Sequence, residues 1–415
     1  MNDPTIREVI AGEEVHDLLL FVVAGEHSGD ALGGKLMAAL SAMRPGRVRF
    51  LGVGGPLMTA QGLVPQFPLD DVAVMGPGAI LARLPLILRR IRSTVEAAIA
   101  AEPDAVIIID SPEFTHPIAK RIRKRNPDIP IIDYVSPSVW AWRPGRAKKM
   151  RPYVDHILAL WPFEPEVHRK LDGPACSFVG HPLSERQAWI DALDPALLQE
   201  RWGLAKDAPV IVVLPGSRAS EIGRLMKPFG ETLDRLRKAG RTFEVIVPVV
   251  PSVRPLVEQH LASWSRRPLL VEGEEDKFRA FKLARAALAA SGTVTLELGF
   301  VGTPMVVAYR VGKVTAPVFR RLIKSPSTVL PNLVLGRNVV PEFHQERATP
   351  ANLANALAEA MDDGPGRTRQ VEALAQLPDA LHLAGQAPSE AAARIVIDYA
   401  LNGRGWRRPD SKARG

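Results

Sequence analysis

Apolar residues in this chain come in short unbroken runs, and each run stops at a turn rich in glycine, serine or proline. Asp17 to Ala24 is one such run and enters Gly25-Glu26-His27-Ser28-Gly29-Asp30. Asp104 to Asp110 ends in a carboxylate and enters Ser111-Pro112-Glu113-Phe114. Runs of this length without alternation fit strands buried on both faces, as in parallel sheets. A helical pattern follows from about Ala31 to Met43, with Ser28 or Asp30 able to cap it. Further strands are expected up to Gly52, at Ile131 to Val135 and at His156 to Leu160, and Phe178 to Pro182 closes the first half. A polar helical stretch from Leu183 to Lys206 intervenes, and then the pattern restarts. Pro209 to Leu214 leads into Pro215-Gly216-Ser217-Arg218, followed by strands at Phe243 to Pro248, Leu269 to Glu272, Ala286 to Ala290 and Met305 to Ala308. Ser389 is the expected cap of a last helix reaching about Leu401.

Strand, turn and helix in alternation predict the α/β class, and the restart predicts two Rossmann-like doubly wound domains facing across a cleft. The expected boundaries are 1–185 for an acceptor- and lipid-binding domain and 186–385 for a nucleotide-sugar-binding domain. Residues 386–415 form a C-terminal helix and a basic mobile tail. The length of 415 residues agrees with two domains rather than one core.

Composition narrows the setting. A single cysteine, Cys176, rules out an internal disulfide and fits a reducing compartment. The first sixteen residues carry Asp3, Glu8, Glu13 and Glu14 and lack the basic start of a signal peptide. No run is long enough to span a bilayer. A cytoplasmic protein is therefore expected. The net charge of +8 admits an anionic partner, but aromatics are only 6% and the basic residues are scattered. Stacking platforms for bases are not evident, so nucleic acid is not the expected partner. The stretch 79–92 sets Leu84, Leu88 and other apolar residues among Arg83, Arg89, Arg90 and Arg92 with no acid. It reads equally as a helix lying on an anionic membrane surface and as a domain helix with solvated arginines.

The turns carry the candidate chemistry. Ser291-Gly292-Thr293 between a strand and a helix offers backbone N–H groups and a helix dipole to a phosphate. Glu297, one turn on, can accept hydrogen bonds from ribose hydroxyls or be a solvated helix residue. Gly216, Ser217 and Arg218 form a second such turn, where Arg218 grips a phosphate or makes a salt bridge. Asp110 at a strand end is a candidate base or a turn cap. Trp140, Trp142 and Arg143 share one loop, where exposed tryptophans would be costly, so they pack against a partner or line a pocket. These features together suit a nucleotide-sugar transferase.

The same residues carry a resemblance. Ala24 to Asp30, Gly52-Val53-Gly54-Gly55, Val74-Met75-Gly76, Ile109 to Phe114, Tyr134 to Arg143, Leu214 to Arg218, Ala290 to Glu297, Pro304 to Val307 and Pro331-Asn332-Leu333 follow in the order of the lipid-A-disaccharide synthase family. The Ser136-Pro137-Ser138-Val139-Trp140-Ala141-Trp142 loop is its most specific motif. The resemblance implies the GT-B glycosyltransferase fold. It also implies transfer of a 2,3-diacylglucosamine unit from UDP to the 6-hydroxyl of 2,3-diacylglucosamine 1-phosphate, with inversion at the anomeric carbon and release of UDP. It adds Asn332 to the nucleotide site and places Ser28, Gly29, Asp30, Glu113, Trp140, Trp142 and Arg143 around the acceptor. Three positions depart from the family pattern: Glu113 stands where Asp is usual, Ala79 where an acid is common, and His27 where a small residue is usual.

Inverting transfer needs a base for the attacking hydroxyl and relief of charge on the diphosphate. Asp110 is the first candidate base and His27 the second. No Asp-x-Asp pair sits at a strand end and no His/Cys spacing suggests zinc, so metal-independent chemistry without a cofactor is expected. The expected partners are a UDP-sugar donor, an acyl-sugar phosphate acceptor and the inner face of the cytoplasmic membrane, with a homodimer left open. The competing readings are a UDP-N-acetylglucosamine 2-epimerase, another N-acetylglucosaminyltransferase of this fold, and a non-catalytic nucleotide or nucleic-acid binder.

Overall fold

The computed structural model describes residues 17–73, 77–205, 207–312 and 325–404. Val74-Met75-Gly76, the basic segment 318–324 and the tail from residue 405 lie outside the described residues. The chain divides into two compact units. One takes the residues up to Val139, Pro144–Pro182 and the segment from Ala384, and the other takes Trp140–Arg143 and Leu183–Leu383.

The first unit holds a seven-stranded sheet in the order β3-β2-β1-β4-β5-β6-β7. Its strands are β1 (Leu18–Ala24), β2 (Val48–Val53), β3 (Val64–Pro65), β4 (Ala105–Ile109), β5 (Ile131–Tyr134), β6 (His156–Ala159) and β7 (Ala175–Phe178). All neighbours pair in parallel. The unbroken apolar runs explain this: β1 and β4 are buried almost throughout, on both faces. Phe21, Val23, Val106, Ile108, Ile118, Ile122 and Ile157 form one core layer against the helices.

The second unit repeats the plan with six strands in the order β10-β9-β8-β11-β12-β13. These are β8 (Val210–Leu214), β9 (Glu244–Pro248), β10 (Leu269–Val271), β11 (Ala284–Ala290), β12 (Met305–Tyr309) and β13 (Glu342–His344). Ile211, Val213, Phe229, Leu233, Val247, Leu288, Val306 and Leu357 lie in its core. The α/β class with two doubly wound sheets is thus what the chain adopts.

Strand order reverses between β1 and β4 in one sheet and between β8 and β11 in the other. Such reversals open a crevice at the carboxyl ends of the strands, where ligands bind. The register pairs Ala24 with Ile109 and Leu214 with Ala289, so the turns after these strands lie side by side.

Several local expectations are corrected. The first helix spans His27–Met43, so Ser28, Gly29 and Asp30 are helical rather than part of the turn. The last helix, Pro388–Asn402, starts one residue before Ser389 and has Ala387 at its N-cap, because proline suits the first helical position. That helix is not apart from the domains either. It packs on His27–Met43, and Tyr399 Oη meets His156 Nδ1 at 3.2 Å.

Candidate functional site

In the first unit the turn after β1 lies against the turn after β4. Gly25 makes this possible, since a Cβ there would collide with the Ser111 side chain. Asp110 and Ser111 both adopt left-handed backbone, at φ 51° and 46°. Non-glycine residues take that conformation at a cost that recurs at functional sites. Here it turns the Asp110 carboxylate toward the first turn. Ser28 Oγ lies 3.4 Å from Asp110 Oδ2 and 2.5 Å from Glu26 Oε1. The Ser111 N–H donates to Asp110 Oδ1 at 2.8 Å. Burial, and after it the charge of Glu26, push the Asp110 carboxyl up to about 6, against the pull of the Ser111 N–H. Such a group is largely ionised at neutral pH and is a stronger base than an ordinary carboxylate.

The other residues predicted around the acceptor are less uniformly placed. His27 Nε2 lies 3.2 Å from Asp70 Oδ1, and both side chains are well exposed. Glu113 stands in the first turn of the helix Pro112–Arg125 and receives Arg146 at 2.7 Å. The Arg143 guanidinium lies 4.3 Å over the Trp142 ring, and Trp140 and Trp142 are half-buried. Gly29 is buried beside β1 and β4. Asp30 is corrected. Its side chain is buried and accepts from the N–H groups of Gly55, Leu57 and Met58 at 2.7, 3.0 and 3.0 Å. It therefore caps the short helix Pro56–Thr59 and holds the Gly-rich turn after β2, its carboxylate engaged by three backbone N–H groups.

In the second unit Gly216 takes φ 110°, a conformation suited to glycine, and the chain then enters the helix Ala219–Lys238. Glu221 fills the start of this helix. Its Oε2 accepts the N–H groups of Ser217 and Arg218 at 3.1 and 3.3 Å, and its Oε1 receives Arg218 at 3.0 Å. The Arg218 side chain remains 67% exposed. The neighbouring turn is more open. Ser291 Oγ donates to the Thr328 carbonyl at 2.7 Å, Thr293 starts the helix Val294–Val301, and the space over Gly292 is empty of protein. Lys277 Nζ pins Glu297 at 3.1 Å from Oε1 and 2.9 Å from Oε2.

Asn332 is turned inward as well. Its buried amide donates to Ser327 Oγ and the Val340 carbonyl and accepts from the N–H groups of Val339 and Val340. All four hydrogen-bonding positions are occupied by the chain itself. The loop it fixes carries Thr328, which donates from N and Oγ1 to Glu342. Burial disfavours the Glu342 carboxylate, but bonds from His344, Thr328 and Ser327 outweigh it and hold the group down to about 2. A cavity of about 1040 Å³ beside this loop is lined by Ser327, Thr328, Arg337, Glu342, His344 and Arg369, among others. It includes none of the sequence-predicted site residues.

Glu26, Glu221 and Lys277 are not among the sequence-predicted site residues. Glu221 had a signal, since a carboxylate three residues after a turn is capping-box spacing. Glu26 lay inside a motif already singled out. Lys277 is twenty positions from Glu297 in sequence, and no local pattern connects them. Among the described residues, no three His, Cys, Asp or Glu side chains cluster so as to hold a metal ion.

Comparison with known proteins adds a second line. Residues 20–396 match the family model described as lipid-A-disaccharide synthetase. Curated relatives under the name lipid-A-disaccharide synthase include one from Nitrobacter hamburgensis, 52% identical over 93% of this chain and 96% of the relative. Another, from Ruegeria pomeroyi, is 42% identical over 91% of this chain and 94% of the relative. Among solved structures, the UDP-GlcNAc 2-epimerase from Neisseria meningitidis bound to UDP-GlcNAc is similar at a TM-score of 0.62, over 93% of this chain and 100% of that one. MurG of Acinetobacter baumannii is similar at 0.52, over 93% of this chain and 99% of that one. Both structures are 14% identical in sequence, so these likenesses concern the fold alone.

Proposed function

Because this chain belongs to the lipid-A-disaccharide synthetase family, we propose that it moves a 2,3-diacylglucosamine unit from UDP to the 6-hydroxyl of 2,3-diacylglucosamine 1-phosphate. The anomeric carbon inverts, a β-1′,6 linkage forms and UDP leaves. The observation that carries the mechanism is Asp110, a half-buried carboxylate raised to about 6 at the point where strand order reverses. In its ionised form it takes the proton of the attacking 6-hydroxyl as the bond to the anomeric carbon forms. The sugar carbon passes through an oxocarbenium-like state as the bond to the diphosphate lengthens. Arg218 and the Ser291–Thr293 turn receive the diphosphate, and Glu297 receives the ribose hydroxyls. An exposed guanidinium paired with a neighbouring carboxylate can turn to a ligand at small cost, which supports that role for Arg218. Fixed positive groups of this kind can relieve leaving-group charge, so the reaction is proposed to need no metal.

Both substrates carry acyl chains on this reading, so the protein would meet them at a membrane. No helix of the described residues is long and apolar enough to cross one. We place it as a peripheral protein on the inner face of the cytoplasmic membrane, docked by the helix Pro77–Ala101. The test is UDP release on mixing the protein with UDP-diacylglucosamine and the acyl-sugar phosphate in the presence of a chelator. The expected result is stoichiometric UDP and a β-linked disaccharide by NMR. An α-linkage sinks the inverting mechanism, loss of activity with chelator sinks metal independence, and no product sinks the substrate assignment.

A further inference from the structure

Glu26 occupies the N-cap position of the helix His27–Met43 in extended backbone, one residue after the glycine that lets the two turns touch. Its Oε1 lies 2.5 Å from Ser28 Oγ, and that same oxygen lies 3.4 Å from Asp110 Oδ2. A hydroxyl carries one proton and accepts others. Ser28 can therefore donate to one carboxylate while it accepts from the other, provided the other is protonated. The three side chains form a row in which a proton on Asp110 has a path toward Glu26.

We propose that Glu26 is a positioning and relay residue of the transfer, acting on Asp110 through Ser28. This rests on Asp110 being the base. The acceptor O–H bond breaks and an Asp110 O–H bond forms as the base acts. Asp110 then donates that proton to Ser28 Oγ, while Ser28 passes its own proton to Glu26 Oε1. One proton leaves the substrate hydroxyl and one is gained by the carboxylate pair, so atoms and charge balance.

Before the reaction the negative charge of Glu26 makes Asp110 hold protons more tightly, since two nearby carboxylates resist ionising together. Asp133, buried in β5, is another carboxylate whose charge acts on Asp110, and the Ser111 N–H works in the opposite sense. His27 is turned to Asp70. The rise of the Asp110 carboxyl to about 6, with Glu26 second only to burial among its causes, agrees with this arrangement.

The test uses Glu26→Gln in the full chain. kcat/KM is measured against pH, and the Asp110 carboxyl is titrated by NMR in carboxyl-labelled protein. In the wild type, activity should fall as pH drops through about 6, where Asp110 takes up its proton. Glu26→Gln should move that acid limb and the Asp110 titration down together, by about one pH unit. The plateau should also fall, because a less basic carboxylate is a weaker catalyst. Glu26→Asp keeps the charge and should keep the limb in place. A lower plateau with an unmoved limb and titration would mean that Glu26 is merely structural, and would overturn the proposal. Asp110→Asn turning over at the wild-type rate is a separate result. It would overturn Asp110 as base, and the relay with it, whatever the titration shows.

Discussion

Arg218 and Glu221 show how little an ion pair decides on its own. The pair is three residues apart on one helix start and its arginine is 67% exposed, so it contributes about 0.2–1 kcal/mol to stability. A charge-assisted bond to a bound diphosphate is worth more, about 1.5–3 kcal/mol. Arg218→Ala should therefore weaken UDP binding by that larger amount in calorimetry and leave the melting temperature nearly unchanged. A fall in melting temperature with unchanged UDP affinity would reassign Arg218 to structure. The same reasoning separates residues that resemble one another in sequence. Ser28 and Asp30 are two positions apart in one motif, so on a helix they point about 200° apart. One faces Asp110, and the other turns inward to the Gly55 N–H. The motif is legible in the sequence, but the inward or outward sense depends on where the helix starts, and that depends on packing. Asn332 follows the same rule: its side chain is committed to Val339 and Val340, which no local pattern foretells.

The helix Pro77–Ala101 makes the corresponding point for an element. Ile91, Val95 and Ala98 are buried at helical spacing, which fixes the inner face of its second half. In the first half Leu81, Leu84 and Leu88 recur at three- and four-residue spacing and stand 72%, 40% and 51% exposed. Arg83, Arg89 and Arg92 are exposed too, although Arg83 also reaches the Asp70 carbonyl. Arg90 is tied inward: it is held by Asp71 at 2.5 Å and lies 4.5 Å over the Phe67 ring. A sequence of alternating leucine and arginine cannot reveal which arginine is tied inward, because Asp71 and Phe67 belong to a different stretch. If this helix docks on a membrane as proposed, the face it offers is Leu81, Leu84, Leu88, Arg89 and Arg92. Each basic residue near an anionic surface adds about 1 kcal/mol. Leu84→Ser and Leu88→Ser with Arg89→Glu and Arg92→Glu should abolish sedimentation with anionic vesicles at low salt and raise KM for acylated substrates. UDP affinity should hold. Unchanged sedimentation would leave this face a solvated one.

At the scale of the molecule, the repeated order of strands was legible because parallel strands are apolar throughout and each ends at a marked turn. The return of the last helix to the first unit was not. Its sequence is an ordinary amphipathic pattern, and its partners lie hundreds of residues upstream, as with Tyr399 and His156. Ala391, Ala392, Ile395 and Val396 are buried in that contact. Ile395→Ala should cost about 2–5 kcal/mol, as large-to-small core changes do. If hydrogen exchange is followed segment by segment, protection should fall in β1 and β4 and persist in β8 and β11. Equal loss in both sheets would mean that the two units unfold as one.

That returning helix also sets an order of events during synthesis. Residues 183–383 must be made between the end of Pro144–Pro182 and the first residue of the closing segment at Ala384. At about 5–20 residues per second the ribosome needs roughly 10–40 s for such a stretch. Throughout that interval the first unit lacks the helix that covers part of β1 and β4, whereas the second has nearly all of its own chain at the end of it. The nascent protein therefore completes its later half before its earlier one, and the apolar patch left open on the earlier half is where a chaperone would engage it.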